Sequence, residues 1–423
     1  MKTVSYFAGV LCCFLVAASS LPAEHNAAAK KTPHILASED RNMLRKHLDE
    51  SVLRGEVPGG ALLLVHEGET VFKDGFGFRH IKHGKPFTAD TPFHVASISK
   101  PIIATLVVKL AAERRLDLDR PIDAYLHEMS DLLLESGERP ATIPTLRQCL
   151  SHTAGFRSDY DEGGRPWLRL RGQGMTLADA VTEEAKIPMP IHPGTEFAYS
   201  GIGYDIAGRI VEVSTGSSLE TAIQTELFEP LGMTQTTYYP DEETAEQMAD
   251  FYWLWRSDGK FRRKLPPPPI PAGKYTSVGG GIVSTLDDLS KFMLLHQNHG
   301  VHDGKTFIPR DAIEQMYRGD RPGKFYGLGF MLKSNGKDGL ANQISHSGSS
   351  GTLMWLDRQR QSIGVLATQH RFSDGKKMPE SQKRIAADAP TWQATTKKEV
   401  LDPLMDRLQK SNQRLVGAPQ RKP

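Results

Sequence analysis

Hydrophobic and polar positions follow two rhythms along this chain. Between Ser38 and Arg54 the apolar residues Met43, Leu44, Leu48 and Val52 share one face at helical spacing, and Ser38, Asp40 and Arg41 open the run. That pattern predicts an amphipathic helix. Gly59-Gly60 breaks the period, and two strand-like runs follow, Ala61–His66 and Thr70–Phe76, joined by Glu67-Gly68-Glu69. From Ser97 to about Leu289 helix and loop signals dominate, with Leu265-Pro266-Pro267-Pro268-Pro269 as a stiff extended connector. Strand signals return at Tyr326–Lys333, Gln343–Ser345, Thr352–Asp357 and Ser362–Gln369, and Asn335-Gly336 suits a tight turn between the first two. A last helix is predicted from about Thr391 to Gln409, before a loose tail over 411–423.

Strands and a helix at each end, with helices between, predict an α+β fold. One antiparallel sheet, flanked by N- and C-terminal helices, is interrupted by a large, mainly helical insertion. The sheet parts span about 38–90 and 290–410, the helical part about 97–289, and one domain covers 38–410.

The start of the chain has a different character. Lys2 precedes an apolar run from Ala8 to Ala18, followed by Ser19, Ser20 and Ala23, which reads as a signal peptide over 1–23 and predicts a secreted or periplasmic product. The run is shorter than the ~20 residues a membrane span needs, so no stable span is expected. Cleavage after Ser20 and after Ala23 both fit, and 24–37 form a flexible lead-in. A lipoprotein reading through Cys12 fails, because Gly9-Val10-Leu11 is a poor small-residue box. Cys12 and Cys13 leave with the signal, so Cys149 alone remains and no internal disulfide can form. Its apolar flanks, Leu146 and Leu150, favour a buried helical thiol over a catalytic one.

Composition excludes some classes. Hydrophobic residues make up 39% and charged residues 24%, which suits a globular chain with a core. Lys+Arg number 52 against 50 Asp+Glu, a net charge of +2, with no basic block of the kind that binds nucleic acid. Removing Lys2 with the signal leaves 52 − 1 = 51 basic residues and a net of +1.

Most chemical motifs are missing or broken. His-Glu-x-x-His and Gly-x-Ser-x-Gly do not occur, and no metal site is expected; His80 and His83 lie in a polar turn. Gly304-Lys305-Thr306 lacks the glycine a phosphate-binding loop needs at His299, and Gly279-Gly280-Gly281 lacks the dinucleotide spacing. The three glycines suit a flexible turn before a helix capped by Ser284 or Thr285. Ser-x-x-Lys occurs four times, at Ser97, Ser257, Ser334 and Ser373. The last three enclose Asp-Gly or Asn-Gly turns. Only Ser97 precedes a long apolar segment, Ile102–Leu110, on which Lys100 one turn away approaches the Ser97 hydroxyl. Ser97 then sits at the positive end of the helix, and Pro101 is expected to distort its first turn.

Phe93-His94-Val95-Ala96-Ser97-Ile98-Ser99-Lys100 resembles the nucleophile motif of the serine β-lactamase and penicillin-binding-protein superfamily, in the branch of class C β-lactamases, D-Ala-D-Ala carboxypeptidases and related esterases. Leu116-Asp117-Leu118-Asp119-Arg120-Pro121 and Leu150-Ser151-His152-Thr153-Ala154-Gly155 are similar to its structural signatures. Pro193-Gly194-Thr195-Glu196-Phe197-Ala198-Tyr199-Ser200 resembles the segment with its catalytic tyrosine, and Leu231-Gly232-Met233-Thr234 and Gly280-Gly281-Ile282-Val283-Ser284-Thr285 also fit. His346-Ser347-Gly348 is similar to its third catalytic motif. The likeness covers about residues 40–370, in the family's order.

The resemblance implies a β-lactamase/transpeptidase-like fold and an enzyme without cofactor or metal. It implies Ser97 as the nucleophile, with Lys100 and Tyr199 moving its proton to the leaving group. For Lys100 that role needs a neutral amine, favoured by burial and nearby positive charge. The backbone N–H groups of Ser97 and Ser349 are implied as the oxyanion hole, and His346 as a partner of Tyr199 and of the substrate. Gly201, Ser347 and Gly348 fall at substrate-binding positions. By themselves Tyr199 also reads as a core aromatic and His346 as a strand-end histidine.

Two departures bear on substrate. Gly201 stands where the family carries the asparagine that holds an amide carbonyl or helps orient the lysine, and His346 replaces a lysine that holds a carboxylate. Both tilt the expectation toward an ester or related acyl substrate. The alternative is a D-amino-acid peptidase or carboxypeptidase with weak β-lactamase activity. A non-turnover acyl-binding sensor keeps the same nucleophile, whereas an inactive scaffold is disfavoured by intact Ser97, Lys100, Tyr199 and His346. The expected partner is a small acyl, ester or short peptide substrate, and oligomeric state is left open. Length alone favours about three domains at ~150 residues each. Convergence of Ser97, Tyr199 and His346 on one acyl group requires a single catalytic unit instead.

Overall fold

The alternation of apolar side chains in the first strand sets the layering. A computed structural model describes residues 36–159, 174–255, 260–264, 273–275, 277–319, 322–373 and 392–417. The expected signal peptide and the proline connector lie outside them. Strand β1 (Gly59–His66) is buried along its length, sending Leu62 and Leu64 into one apolar cluster and Ala61, Leu63 and Val65 into another on the opposite face. It pairs with β2 (Glu69–His80), and β3 (Lys85–Pro86) forms the edge.

The later strands complete the sheet. They are β4 (Met331–Asn335), β5 (Ala341–Gly348), β6 (Thr352–Asp357) and β7 (Ser362–Ala367), in the spatial order β4-β5-β6-β7-β1-β2-β3. Every neighbouring pair is antiparallel, and β1 meets β7 in the register Ala61↔Ala367 and Leu63↔Val365. The two ends of the chain therefore share one sheet, as expected. Gly364 lies opposite Trp355, whose indole occupies the space a Cβ would need.

The helices used below are α1 (Ser38–Leu53), α2 (Ser99–Ala112), α3 (Leu146–Leu150), α4 (Leu177–Glu184), α5 (Ile202–Thr215), α6 (Leu286–Gln297) and α7 (Asp402–Gly417). Outside the sheet, Leu44 and Leu48 of α1 and Leu404, Met405 and Leu408 of α7 cluster with Leu62, Leu64, Phe72 and Trp355. On the inner face lies the larger cluster, with α2 at its centre. That helix is apolar nearly all round, so all sides are buried.

Several expectations need correction. Met43 is exposed, lying beside Arg407, so the buried stripe of α1 is narrower than its sequence pattern. Leu36, assigned to the lead-in, is buried in the outer cluster, since an apolar side chain at the helix entrance gains by leaving water. The C-terminal helix runs on to Gly417, into the expected tail. Tyr326–Lys333 is not one strand: pairing begins at Met331, and Tyr326 makes only an isolated bridge to it. The insertion also contains a hairpin, Phe251–Trp255 with Lys260–Lys264, which His370–Ser373 joins in parallel. His80 is not simply solvated, because its Nε2 lies 3.3 Å from Asp250.

Candidate active site

Ser97 is presented by a tightly tethered turn. Phe93–His94 pairs with Val283–Ser284, and the Val95 N–H donates to Ile282 O at 3.0 Å. Ala96 then takes a left-handed conformation, φ 48°, which costs about 1 kcal/mol for a residue with a Cβ. Ala96–Ile98 form a 3-10 turn that runs directly into α2. The Ser99 hydroxyl donates to Ala96 O at 2.7 Å and accepts from the Ile282 N–H at 3.2 Å, which locks the turn. Pro101 falls in the first turn of α2, where a missing N–H breaks no regular helix bond. The distortion expected of that turn is not seen: the chain is α-helical from Ser99 on.

Lys100 is buried below Ser97. Its Nζ lies 3.4 Å from Ser97 Oγ and donates to Gly279 O at 2.9 Å. The Tyr199 ring stands 4.8 Å from the amine and the Tyr204 ring 5.5 Å, both within cation–π range. Gly279 belongs to the glycine run taken for a flexible turn. A Cβ there would sit 3.0 Å from Lys100 Nζ, so the glycine makes room for the amine.

Tyr199 lies just before α5 and is held from several sides. Its carbonyl accepts from the Asp159 N–H at 2.9 Å and from the Ser158 hydroxyl at 3.2 Å. His152, at φ 59°, accepts the Ser200 N–H on Nδ1 at 3.1 Å, takes the Ala198 N–H on its carbonyl at 2.8 Å, and stacks on the Tyr199 ring at 4.2 Å. Burial, and then the charge of Lys100, push the His152 imidazole well below its usual range, so it is neutral.

The other wall comes from β5. The turn after it is tied to the segment entering Ser97: Ser350 Oγ donates to His94 O at 2.6 Å and Thr352 Oγ1 to Val95 O at 3.0 Å. Gly348 packs so closely against Thr352 and Val95 O that no Cβ fits. Ser347 and Ser349 are exposed beside this contact. His346 is buried, with its ring 6.4 Å from that of Tyr199. Its expected partner was Tyr199, but the bond goes to Tyr326, whose OH donates to Nε2 at 2.9 Å while Nδ1–H donates to Ser347 O at 2.9 Å. Burial, followed by the Lys100 charge, pushes His346 down to about 3.

The fold thus brings Ser97, Lys100, Tyr199 and His346 together with Ser347, Gly348 and Ser349. Gly201 stands apart: it is buried at the head of α5, and its N–H donates to Asp159 Oδ1 at 2.9 Å. It offers a ligand neither a side chain nor a spare donor. Tyr326 and Gly279 escaped the sequence reading. The signal for Tyr326 was Tyr326-Gly327-Leu328-Gly329, where glycines mark close backbone packing rather than a strand; a Cβ on Gly329 would lie 2.7 Å from that of Ala104. Cys149 is buried in α3, and burial pushes its thiol far above the usual range, which removes it from the chemistry.

A family model described as Beta-lactamase matches residues 42–387. Esterase EstB of Burkholderia gladioli is 26% identical over 334 residues, covering 73% of this chain and 82% of the esterase. Penicillin-binding protein 4 of Amycolatopsis lactamdurans is 29% identical over 326 residues, covering 74% of this chain and 80% of its own length. Among solved structures, EstCE1, described as a hydrolase with promiscuous acyltransferase activity, superposes with a TM-score of 0.68 at 21% identity, covering 79% of this chain and 95% of its own.

Proposed function

The chain belongs to the beta-lactamase family of serine hydrolases, and within that family we propose that it is an exported esterase working through an acyl-enzyme on Ser97. The observation that carries the proposal is the buried Lys100 amine 3.4 Å from Ser97 Oγ, flanked by the Tyr199 ring. In the first step Ser97 Oγ attacks the acyl carbonyl and its proton passes to the Lys100–Tyr199 pair. The alkoxide leaves with that proton, and water then attacks the Ser97 ester by the same relay in reverse. The Ser97 and Ser349 N–H groups receive the developing oxyanion, an arrangement worth roughly 3–4 kcal/mol per donor.

Ester preference follows from what the site lacks. Gly201 leaves no side-chain amide to hold a peptide carbonyl, and His346 is neutral, so no fixed positive charge stands there for a substrate carboxylate. Similarity to an esterase supports this reading, and similarity to a penicillin-binding protein makes D-Ala peptides the natural comparison. The Lys2-led apolar start supports export. Among the described residues no helix is long and apolar enough to cross a membrane.

Fluorophosphonate labelling with mass-spectrometric mapping is expected to place the adduct on Ser97. A label elsewhere, or none, sinks the site assignment. Turnover of short p-nitrophenyl esters, D-Ala peptides and a chromogenic cephalosporin ranks the substrate classes, with esters expected fastest. Stoichiometric acylation without turnover on all three makes the protein a sensor.

A further inference from the structure

Two carboxyl groups are buried from water and, among the described residues, have no bonded cation. Glu184, the last residue of α4, and Asp205, in the first turn of α5, are both wholly buried and adjacent. Asp205 is well supplied with donors: Tyr275 OH reaches Oδ2 at 2.6 Å and the Val278 N–H reaches Oδ1 at 2.8 Å. Neither Glu184 oxygen receives a hydrogen bond among the described residues; the group it meets is the Asp205 carboxyl.

Two carboxylates in one dry site cannot both be charged, so a proton is needed between them. It rests on Glu184, which burial and the Asp205 charge hold well above the usual carboxylate range. Burial pushes Asp205 upward as well, but Tyr275, Val278, Glu184 and the charge of Lys100 when it is protonated all favour its anion. Titratable groups from four further segments act on the pair. Lys100 comes from α2, Asp159 from the loop after α3, Tyr275 from the loop before α6, and Tyr238 from the segment that bonds to Val278.

The pair also grips the backbone that seats the amine. Asp205 holds the Val278 N–H, Tyr238 OH donates to Val278 O at 2.6 Å, and the next carbonyl, that of Gly279, takes Lys100 Nζ at 2.9 Å.

We infer that Glu184 and Asp205 form a one-proton carboxyl dyad that positions the Lys100 amine through the Val278–Gly279 backbone and tunes its proton affinity. This rests on the role given to Ser97 and Lys100 above. Both dyad members are positioning residues. The single charge on Asp205 stabilises the protonated amine, and the proton on Glu184 keeps a second charge from locking it in that form.

The test combines three variants and two readouts. Asp205→Asn keeps an acceptor for the Val278 N–H but removes the charge. The acid limb of its kcat profile on a short p-nitrophenyl ester is expected to move down by about one pH unit. Asp205→Ala loses the grip as well, and kcat is expected to fall about a hundredfold with KM little changed. Glu184→Gln retains most activity, because an amide N–H stands where the acid proton was, and it loses one carboxylic-acid C=O stretch from the infrared spectrum of the folded protein. An Asp205→Asn profile that superimposes on the parent, or no acid band lost in Glu184→Gln, overturns the dyad. A parent protein whose Ser97 takes no fluorophosphonate sinks the catalytic reading instead, and leaves the infrared test standing.

Discussion

Two of the lysines buried over aromatic rings, Lys397 and Lys100, are employed differently. On the outer face of the sheet, Lys397 lies 5.1 Å from the Trp355 ring and donates to Asp402 at 2.7 Å. On the inner face, Lys100 lies 4.8 Å from the Tyr199 ring but donates to a carbonyl, Gly279 O, and to the Ser97 hydroxyl. Burial lowers the proton affinity of Lys397 against the pull of Asp402. A bonded carboxylate closes the first pair electrostatically. The hydroxyl of the second is itself a proton donor, so the same amine becomes able to move a proton. The surroundings follow suit: leucines, Trp355 and Met405 fill the outer cluster, whereas His152, Asp205, Glu184 and His346 are buried around Lys100. Buried polar groups cost stability unless each finds a partner, and they mark where the fold serves chemistry.

The sharpest way to break this contrast is at the inner lysine. Ser97→Ala and Lys100→Met are each expected to cut kcat for a p-nitrophenyl ester by a factor on the order of 10⁴ or more, because members of one relay fail together. Equal activity in either variant ends the comparison. Next in size, Leu48→Ala opens a cavity in the outer cluster and is expected to cost about 2–5 kcal/mol in urea denaturation, while kcat per folded molecule stays unchanged.

Acid tests the inner face through its buried histidines. His296 and His346 are wholly buried and pushed from 6.5 down to about 3, so between these values the unfolded chain binds protons that the folded chain refuses. Stability is therefore expected to rise with pH across that window and to fall on acidification, by up to about 1.4 kcal/mol per pH unit for each group. His296→Gln should remove one group's share of the slope, as measured by denaturation midpoints against pH. The smallest effect belongs to the outer lysine. Lys397→Met, kept over Trp355, is expected to change stability by no more than about 1–2 kcal/mol and to leave kcat unaltered.

Much of the fold was legible because local pattern and tertiary role coincide. Ala61–Val65 read as a strand because a short, wholly apolar run followed the Gly59-Gly60 break, as a strand buried on both faces requires, and Thr352–Asp357 was bounded correctly because β-branched and apolar residues run between clear turns. The candidate site was legible where chemistry is local: Ser97 and Lys100 are one turn apart, and the resemblance supplied Tyr199 and His346. Met43 misled, since a helix face reads as apolar whether or not a neighbour covers it. Tyr326 was hidden because its partner, His346, lies 20 residues further on and across a strand pair.

The sequence by itself determined the two-ended sheet, its covering helices and the serine–lysine spacing, because strand alternation and helical pitch act over a few residues. Only the tertiary structure decided that Gly279 receives the amine, that Tyr326 rather than Tyr199 bonds His346, and that Glu184 meets Asp205. Those pairings join segments that no local period relates, and burial makes each of them matter, since in the absence of water a polar group depends on whichever partner packing brings to it.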